Sequence, residues 1–577
     1  MTPNLELRRR ATGAITHLGV LLLAVAYLLP VGDAPWYSFW KEWTAAIAVL
    51  LLVLGCLSTL RDQELPLVLP LRSVSTVALA LALVTWIQWA GGLVPYRSDA
   101  LIASLMLVGF ALCAAVAASL PPAQRDELAD RLALCMLGAA LISAPLGVLQ
   151  WIGWLRLDME MPVEGGRPVA HMIQANLFCS LLIQGLFGAW RLAARARVRP
   201  SLAALLCTPL LLCIVLTQSR VAWLAAVTVV GVVIWRRALF VRERLDRAVL
   251  VAALVVAGGA LLLPWIDSRL GLAGSHLAER ISGGRRPDAW GLFLDAARSN
   301  PWTGWGALQN GSAQFMLADR HPALAYFFSS AHNVVLDLMV WFGIPVGLLA
   351  GLVLLVAAAR RVARAADSAS MAPALAAVML LLHGMVELPL QYAYFLFPLG
   401  FYLGLGGPGA GPALRMPMRL KPLLPVVALA SFGVLALLAS EYIRVTDVRP
   451  ALAYDRKYRT FTLEADEASP QVVLLDQLRA FHEFAALPTA PGRSRSELEM
   501  ARESMLRLPL RASIERYALL AGLNGQGAAA SEALSRLCKF VTQRQCDDSQ
   551  RVWLTRRQQW PELPEWPDPA VAAAPTQ

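Results

Sequence analysis

The feature that most constrains this chain is a series of apolar runs, each about 20 residues long, that recur from Ile15 to Leu405. Another such run extends from Pro422 to Ser440. A helix of about 20 apolar residues crosses the roughly 30 Å hydrocarbon core of a bilayer with its backbone hydrogen bonds satisfied internally. With 57% hydrophobic and 16% charged residues, the 577-residue chain is too apolar for a soluble enzyme of this length. The sequence therefore predicts an all-α polytopic membrane protein with about thirteen spans.

The net charge of +11 is concentrated in alternate short loops. Four arginines lie between residues 191 and 199 and five between residues 236 and 247, whereas the intervening loops hold few. This positive-inside bias predicts a cytoplasmic N-terminus. It also accounts for the charge without a nucleic-acid partner, which would require basic and aromatic residues together on one soluble face. Arg8, Arg9 and Arg10 precede the first run, which lacks a small-residue cleavage site and is expected to remain as a span.

With that orientation, two long hydrophilic segments face outward, a loop over residues 267–331 and a tail over residues 441–577. We expect a transmembrane domain over residues 1–440, which includes the loop, and an outer helical domain over residues 441–577, because tail segments such as SRSELEMARESMLRLPL have helical periodicity. Cys538 and Cys546 lie in the tail, and the sequence leaves open whether they form a disulfide. No metal-ligand spacing occurs, so no metal site is expected.

Polar residues gather at the outer ends of the predicted spans. Ionisable groups at membrane depth are costly and mark functional sites. The candidate residues at these ends and in the outer loop are Gln174, Asn176, Ser219, Arg220, Arg280, Arg285, Arg286, His332, Asn333, Glu387 and Tyr392.

Arginine and histidine determine the chemistry of this set. A guanidinium binds phosphate through two parallel hydrogen bonds and keeps its charge when buried. Arg220, taken with the loop arginines, therefore favours an anion site over an interfacial anchor. His332, at the start of an apolar run, either caps a helix or accepts a proton near neutral pH. Glu387 either bonds a neighbouring span or acts at the site.

The order of these residues resembles the O-antigen ligase and polymerase superfamily. The matching segments are Gln174-x-Asn176, Ser219-Arg220, Arg286-x-x-x-Trp290, Asn300-Pro301-x-x-Gly304-Trp305-Gly306, and His332-Asn333 followed by Gly343. The ending is similar to bacterial protein O-oligosaccharyltransferases of the PglL type, which also have an outer tail; its residues are His383-x-x-x-Glu387-x-Pro389-Leu390-x-Tyr392. Ala175 stands where relatives often carry proline, and Trp341 where they often carry glutamate.

The resemblance implies a glycosyltransferase with a GT-C-type membrane fold, independent of metals and cofactors, in the bacterial inner membrane with its active site facing the periplasm. Such enzymes move a preassembled glycan from undecaprenyl diphosphate to serine or threonine hydroxyls of pilin or other exported proteins. For this chain, it implies that His332 accepts the proton of the acceptor hydroxyl. The groups that would hold the diphosphate are Arg220 and Arg286, with Arg280 or Arg285. The groups that would orient sugar, phosphate or histidine are Gln174, Asn176 and Glu387.

Two other functions remain open. The nearest is an O-antigen ligase that acts on lipid A-core, or a polymerase that acts on another lipid-linked glycan, although such enzymes generally lack a comparable tail. The non-enzyme alternative is a transporter of lipid-linked glycans. A transporter predicts polar residues at the bilayer midplane and internal repeats, and neither is evident in this sequence.

Overall fold

The computed structural model of the protein describes residues 3–30, 32, 35–71, 73–155, 167–241, 244–272, 285–408, 412–416, 423–447 and 470–567. In these residues it contains 21 α-helices and two short strands. The helices of the first half are α1 Pro3–Leu28, α2 Phe39–Asp62, α3 Val74–Ala90, α4 Arg97–Ser119, α5 Pro122–Trp151, α6 Ala175–Ala194, α7 Pro200–Thr217, α8 Arg220–Trp235 and α9 Leu245–Leu270. Those that follow are α10 Arg286–Ser299, α11 Asn310–Leu317, α12 Val334–Phe342, α13 Ile344–Arg364, α14 Ser368–Gly384, α15 Ala393–Gly404 and α16 Leu423–Asp447. The tail contains α17 Asp476–Ala486, α18 Arg495–Arg507, α19 Arg511–Leu523, α20 Gly527–Phe540 and α21 Gln543–Gln559, and the strands are β1 Leu67–Pro70 and β2 Ala413–Met416.

In the part of the chain that the structure describes, eight helices are long and apolar enough to cross a membrane: α2, α4, α5, α6, α7, α9, α13 and the part of α16 from Val426. The same described residues contain five shorter apolar helices: Thr12–Leu28 within α1, α3, α8, α14 and α15. The prediction of a predominantly helical, multi-pass membrane protein is confirmed, whereas the number of about thirteen spans stays a prediction. The span expected to start at His332 is interrupted, because α12 has only nine residues and Gly343, with φ of 85°, separates it from α13. Helix α12 is therefore not one of the candidate spans.

Side-chain capping explains where two of the helices next to candidate residues begin. The side chain of Ser219 accepts a hydrogen bond from the backbone N–H of Val221 at 3.2 Å and starts α8. The side chain of Asn333 accepts from the N–H groups of Val335 and Leu336, both at 3.1 Å, and starts α12. These caps satisfy N–H groups that the first turn of a helix leaves unpaired. Both helix starts are thereby fixed by residues that the sequence marked as candidates.

The chain divides into two compact units, and the division falls within α3, α4, α13 and α16. Unit 1 comprises Met1–Ala80, Met106–Gly283 and Leu352–Leu435. Unit 2 comprises Leu81–Leu105, Gly284–Gly351 and Ala436–Gln577.

Unit 1 has a continuous hydrophobic core in which α1 packs on α2, and α6 packs on α5, α7 and α14. Small residues let these helices approach closely. A Cβ on Gly188 of α6 would lie 2.4 Å from the carbonyl oxygen of Ala133 on α5, and a Cβ on Gly404 of α15 would lie 2.3 Å from that of Ala114 on α4. Contacts of this kind are typical of helix packing in membranes, where small residues let the backbones approach closely and van der Waals contacts contribute to association.

In unit 2, helices α17 to α21 share a hydrophobic core that extends onto α11. The ring of Phe315 on α11 lies 6.0 Å from that of Phe540 on α20. Arg507, the last residue of α18, forms a bidentate pair with Asp99 at 2.7 and 3.0 Å. The tail residues therefore pack, within unit 2, on the segments that precede α12.

The two cysteines of the tail form a disulfide. Cys538 lies on α20 and Cys546 on α21, and their Cα atoms are 5.1 Å apart. Only Val541 and Thr542 connect the two helices, so the chain turns back and brings the thiols within the reach of a disulfide. The question that the sequence left open is thereby answered.

Candidate functional site

Unit 1 brings four polar side chains into one hydrogen-bonded group, which we call the Asn176 cluster (Arg167, Asn176, Ser219 and Glu387). Nδ2 of Asn176 donates to Oε1 of Glu387 at 2.8 Å. Oδ1 of Asn176 accepts from Nη2 of Arg167 at 2.9 Å and from Oγ of Ser219 at 2.8 Å. The amide of Asn176 therefore links a cation to a carboxylate and fixes the orientation of both.

Three helix ends position this cluster. Gln174 is the N-cap of α6, Asn176 is the second residue of that helix, and Ser219 caps α8. Glu387 follows α14, where its backbone N–H donates to the carbonyl oxygen of His383 at 2.8 Å. Glu387 is only 6% exposed, and a buried carboxylate is stable only with hydrogen-bonding partners. Tertiary structure thus brings the predicted Asn176, Ser219 and Glu387 together.

Arg167 was not among the predicted site residues, although it lies nine residues before Asn176. Its Nε donates to the carbonyl oxygen of Thr217 at 2.6 Å, which leaves Nη2 for Asn176. A guanidinium held at two of its nitrogens has little rotational freedom. The signal in the sequence was an arginine in the segment that also contains Gln174-x-Asn176.

The other predicted residues of unit 1 also lie at helix ends: Gln174 and Arg220 at the starts of α6 and α8, and Tyr392 at the start of α15. Arg220 is the first residue of α8 and is exposed, so its guanidinium is accessible to a ligand. Tyr392 immediately precedes α15, and its ring stacks on that of Tyr394 with centroids 5.4 Å apart. Gln174 is half-buried, and its carbonyl oxygen accepts from the N–H of Phe178 at 3.1 Å.

Unit 1 also contains His171, which lies in the loop before α6. Its Nδ1 and Oγ of Ser143 are 3.0 Å apart. Burial, together with the positive charge of Lys41, lowers the pKa of His171 to about 4. The ring is therefore neutral at physiological pH, and it adds no positive charge to this part of unit 1.

Unit 2 holds the predicted base in a tight turn over residues 330–332, which we call the His332 turn. His332 has φ of 54°, in the left-handed region that a residue with a Cβ rarely adopts. Its N–H donates to Oγ of Ser330 at 2.9 Å. The imidazole ring meets the ring of Phe328 edge-on, with centroids 5.4 Å apart. The side chain that caps α12 is that of Asn333, so His332 stands just before the helix.

Next to this turn lies Asp337, a carboxylate that the sequence analysis missed. The residue is 5% exposed, and its carboxylate accepts from Oγ of Ser330 (2.6 Å), the N–H of Ala331 (2.8 Å) and Nδ2 of Asn310 (2.9 Å). Burial raises its pKa to about 6, although the three hydrogen bonds and His332 act in the opposite direction. The available signal was an aspartate inside the otherwise apolar stretch VVLDLMVW.

The Gly-Trp-Gly motif packs on the end of α12. The N–H of Trp305 donates to the carbonyl oxygen of Val340 at 2.7 Å, and that of Gly306 to the carbonyl oxygen of Trp341 at 3.2 Å. Gly304 has φ of 68°, and a Cβ there would lie 2.5 Å from the carbonyl carbon of Trp341. The motif therefore fixes the backbone of the helix that follows the His332 turn, and its glycines allow the close approach.

Two of the predicted loop arginines lie at the start of α10. Arg286 is the first residue of this helix, and Arg285, which is exposed, precedes it and donates from Nη1 to the carbonyl oxygen of Ala323 at 2.9 Å. The N-terminus of a helix carries partial positive charge, so these guanidinium groups add to a potential that attracts anions. Arg280 lies outside the described residues.

No group of three or more histidine, cysteine, aspartate or glutamate residues suited to a metal ion occurs in the part of the chain that the structure describes.

Two family models match the chain. Residues 202–351 match the model described as O-Antigen ligase. Residues 371–550 match the model described as virulence factor membrane-bound polymerase, C-terminal. The candidate residues within the two ranges are Ser219, Arg220, Arg280, Arg285, Arg286, His332 and Asn333 in the first, and Glu387 and Tyr392 in the second.

Two proteins of Acinetobacter baylyi are similar in sequence. The General O-oligosaccharyltransferase is 30% identical over 402 residues, which cover 67% of this chain and 69% of that protein. The ComP-specific O-oligosaccharyltransferase is 25% identical over 242 residues, which cover 41% of this chain and 44% of that protein.

The apolar helices and these matches together define the class, a multi-pass membrane glycosyltransferase of the O-antigen ligase superfamily. Within that class, the chain belongs to the O-oligosaccharyltransferase family. The family and the enzyme class predicted from the order of the candidate residues are therefore confirmed.

Proposed function

We propose that this protein transfers a preassembled oligosaccharide en bloc from undecaprenyl diphosphate to serine or threonine hydroxyls of pilin or other exported proteins. The observation that carries this proposal is the 30% identity over 402 residues with the General O-oligosaccharyltransferase. The Asn176 cluster and the His332 turn support it, because they contain the oriented hydrogen-bonding groups and the base that such a transfer needs.

Donor binding calls for positive charge, because the departing diphosphate gains negative charge as its bond to the anomeric carbon breaks. Arg220 and Arg286 are each the first residue of a helix, so their guanidinium groups lie at positive helix ends. We assign them to the diphosphate, with Arg285 or Arg280 as an additional ligand. A guanidinium binds a phosphate through two parallel hydrogen bonds and needs no deprotonation or metal ion to do so.

The Asn176 cluster is the proposed means of orienting the donor. Its side chains fix one another through the hydrogen bonds of Asn176, so a sugar hydroxyl or phosphate oxygen would meet groups that are already ordered. Glu387 would accept a hydrogen bond from a sugar hydroxyl. Gln174 and Tyr392, at neighbouring helix ends, are assigned to the same binding role, and Ser219 and Asn333 support the helix starts.

His332 is the proposed base. As the acceptor oxygen bonds to the anomeric carbon, its proton passes to an imidazole nitrogen of His332. The bond between that carbon and the diphosphate oxygen breaks, and its electron pair leaves with the diphosphate. The proton on the imidazolium is then released to solvent. This sequence of steps uses no metal ion and no cofactor.

We place the protein in the bacterial inner membrane with a cytoplasmic N-terminus and with the catalytic groups and the tail facing the periplasm. The arginines between residues 191 and 199 and between 236 and 247 support this orientation, since basic loops are retained on the cytoplasmic side. The disulfide between Cys538 and Cys546 fits the same assignment, because disulfides persist in the oxidising periplasm.

The second candidate function is ligation of a glycan to lipid A-core, or polymerisation of a lipid-linked glycan. It is favoured by the descriptions of the two matching family models, an O-antigen ligase and a membrane-bound polymerase. The donor chemistry would be the same, so the acceptor distinguishes the two functions.

The test is to express the protein with a lipid-linked glycan pathway and a candidate pilin, in a bacterium without an O-oligosaccharyltransferase of its own. Mass spectrometry should find the glycan on serine or threonine of the pilin. His332→Ala should abolish this transfer, whereas His17→Ala, which changes an exposed histidine of α1, should leave it intact. Glycan found only on lipid A-core would reject protein glycosylation and favour the ligase.

A further inference from the structure

Asp337 is a buried carboxylate of unit 2 that the proposed mechanism does not use and that lies next to the His332 turn. Its two oxygens accept three hydrogen bonds, from Ser330, Ala331 and Asn310, at 2.6 to 2.9 Å. A buried carboxylate without such partners would be costly. Two of its three partners belong to the His332 turn, so the carboxylate and the backbone of this turn are directly connected.

The peptide between Ala331 and His332 is held at both of its polar atoms. On one side, Nε1 of Trp290 donates to the carbonyl oxygen of Ala331 at 2.9 Å. On the other side, the N–H of His332 donates to Oγ of Ser330, and that hydroxyl in turn donates to Oδ2 of Asp337. The orientation of this peptide plane is therefore fixed, and with it the position from which the imidazole extends.

This fixation has an energetic reason. A residue with a Cβ in the left-handed region is strained by roughly 1–2 kcal/mol, and His332 adopts that region with φ of 54°. Strained backbone persists only where surrounding contacts over-determine it. Ser330, Trp290 and Asp337 supply these contacts, and the ring of Phe328 supports the imidazole itself.

A second set of contacts fixes the position of Asp337 itself. Asn310, which is fully buried, donates to Asp337 through Nδ2 and accepts through Oδ1 from Nε1 of Trp341. Both halves of its amide are thus used, and the carboxylate has one preferred position. The next residues of α11 meet the tail, because Oγ of Ser312 donates to the carbonyl oxygen of Leu506 at 3.4 Å. The path from the tail to the His332 turn lies entirely within unit 2.

We propose that Asp337 is a positioning residue for His332: through Ser330 and Ala331, its carboxylate holds the His332 turn in the left-handed conformation that orients the imidazole toward the acceptor hydroxyl. The inference rests on the proposed function, in which His332 is the base. The competing interpretation is that Asp337 only anchors the start of α12, in which case its loss changes stability but not the catalytic rate of the folded enzyme.

The experiment measures glycan transfer by the purified full-length protein, with undecaprenyl-diphosphate-linked glycan and pilin, for Asp337→Ala, Asp337→Asn and Ser330→Ala. Displacement of a catalytic group by about 1 Å lowers a rate by about 100-fold, so we expect kcat of Asp337→Ala to fall by 30- to 100-fold, approximately. The KM for the donor should stay within about twofold, because binding groups are unchanged. Asp337→Asn keeps an acceptor for the N–H of Ala331. The fall in its log kcat should therefore be at most about two thirds of the fall seen in Asp337→Ala.

Hydrogen exchange gives a readout that does not depend on transfer. In Asp337→Ala, the N–H of Ala331 loses its acceptor, and in Ser330→Ala, the N–H of His332 loses its acceptor. In both variants, the amides of Ala331 and His332 should therefore exchange at least about tenfold faster than in the wild type. The matched control is Asp319→Ala, which breaks the pair between Asp319 and Arg536 in the same unit and should change neither kcat nor exchange in the His332 turn.

Four outcomes decide the matter. A lower kcat with unchanged donor KM and faster exchange in the turn supports the proposal. A kcat for Asp337→Ala within twofold of the wild type, in folded protein, overturns it. If Asp337→Ala does not fold, Asp337→Asn and Ser330→Ala decide by the same criteria. If the wild-type protein itself transfers no glycan to pilin, the proposed function fails. That outcome differs from the one in which wild type and Asp337 variants both transfer glycan at similar rates, which overturns only the role of Asp337.

Discussion

The Asn176 cluster and the His332 turn both contain buried polar groups, but the contacts that predominate in them differ. In the Asn176 cluster, side chains bond to side chains, and Asn176 and Glu387 are 211 positions apart in sequence. In the His332 turn, side chains hold the backbone, and the carboxylate of Asp337 lies only six to seven positions from its partners Ala331 and Ser330.

This difference suggests different tasks. A cluster of mutually bonded side chains presents fixed donors and acceptors, which suits the binding of a polyhydroxylated donor. A turn held at its backbone leaves the side chain of its last residue, His332, to carry out chemistry, which suits a base. The cluster should therefore be most sensitive to changes of charge, and the turn most sensitive to changes of backbone freedom.

The largest effect should follow Asn176→Asp, which tests whether the cluster depends on charge complementarity. The new carboxylate would face Glu387 at the present 2.8 Å hydrogen-bond distance, and breaking a buried charged network costs about 3–5 kcal/mol. We expect a large fall in the melting temperature in detergent and loss of transfer. The double variant Asn176→Asp/Glu387→Gln restores one carboxylate and one amide and should regain at least half of the lost stability. Equal melting temperatures for the single and double variants would contradict this account of the cluster.

A smaller effect should follow Gly304→Ala, which tests the backbone that supports α12. The added Cβ would meet the backbone of Trp341 at 2.5 Å, and Gly304 has φ of 68°, so we expect a loss of about 3 kcal/mol in the free energy of unfolding. The control is Gly291→Ala on α10, where a Cβ has nothing within 4 Å, and where alanine should stabilise the helix by about 0.5–1 kcal/mol. Thermal unfolding measures both. A similar effect of the two substitutions would remove the structural role assigned to the Gly-Trp-Gly motif.

The smallest effect concerns the pH dependence of stability. The pKa of Asp337 is raised by burial from its ordinary value of 3.8 to about 6. The native state therefore binds a proton more readily than the unfolded state. Protonation of Asp337 thus stabilises the folded protein as pH falls through 6, and this contribution disappears as pH rises above 6. Between pH 7 and pH 5, the wild type should gain about 1 kcal/mol relative to Asp337→Asn. Unfolding measured for both proteins at pH 5, 6 and 7 checks this, and parallel curves would contradict it.

Much of the candidate site could be predicted from the sequence, because ionisable groups at membrane depth are costly and therefore indicate function. Asn176, Ser219 and Glu387 were identified in this way, and they do meet. Their bonds could not be predicted, since no local periodicity records which helix ends come together across 43 or 211 residues. The two regions again differ, because the components of the His332 turn are close in sequence.

Asp337 was nonetheless missed, because the sequence placed it inside a continuous predicted span rather than beside a turn. The break at Gly343, which makes α12 a short separate helix, is evident only in the structure. The left-handed conformation of His332 has no sequence signal, because glycine is the residue that usually marks it. The disulfide between Cys538 and Cys546 was left open for a similar reason, since spacing alone does not give the 5.1 Å separation of their Cα atoms.

The most direct test of the central claim, that the His332 turn performs the chemistry while the Asn176 cluster binds the donor, is a single-turnover measurement of transfer at increasing donor concentration. For His332→Ala, we predict that the rate at saturating donor falls by about 10²- to 10⁴-fold, with donor Kd within about twofold of the wild type. For Asn176→Ala, we predict that donor Kd rises by about tenfold, with the saturating rate reduced far less. Weakened donor binding by His332→Ala with an undiminished saturating rate would contradict the account.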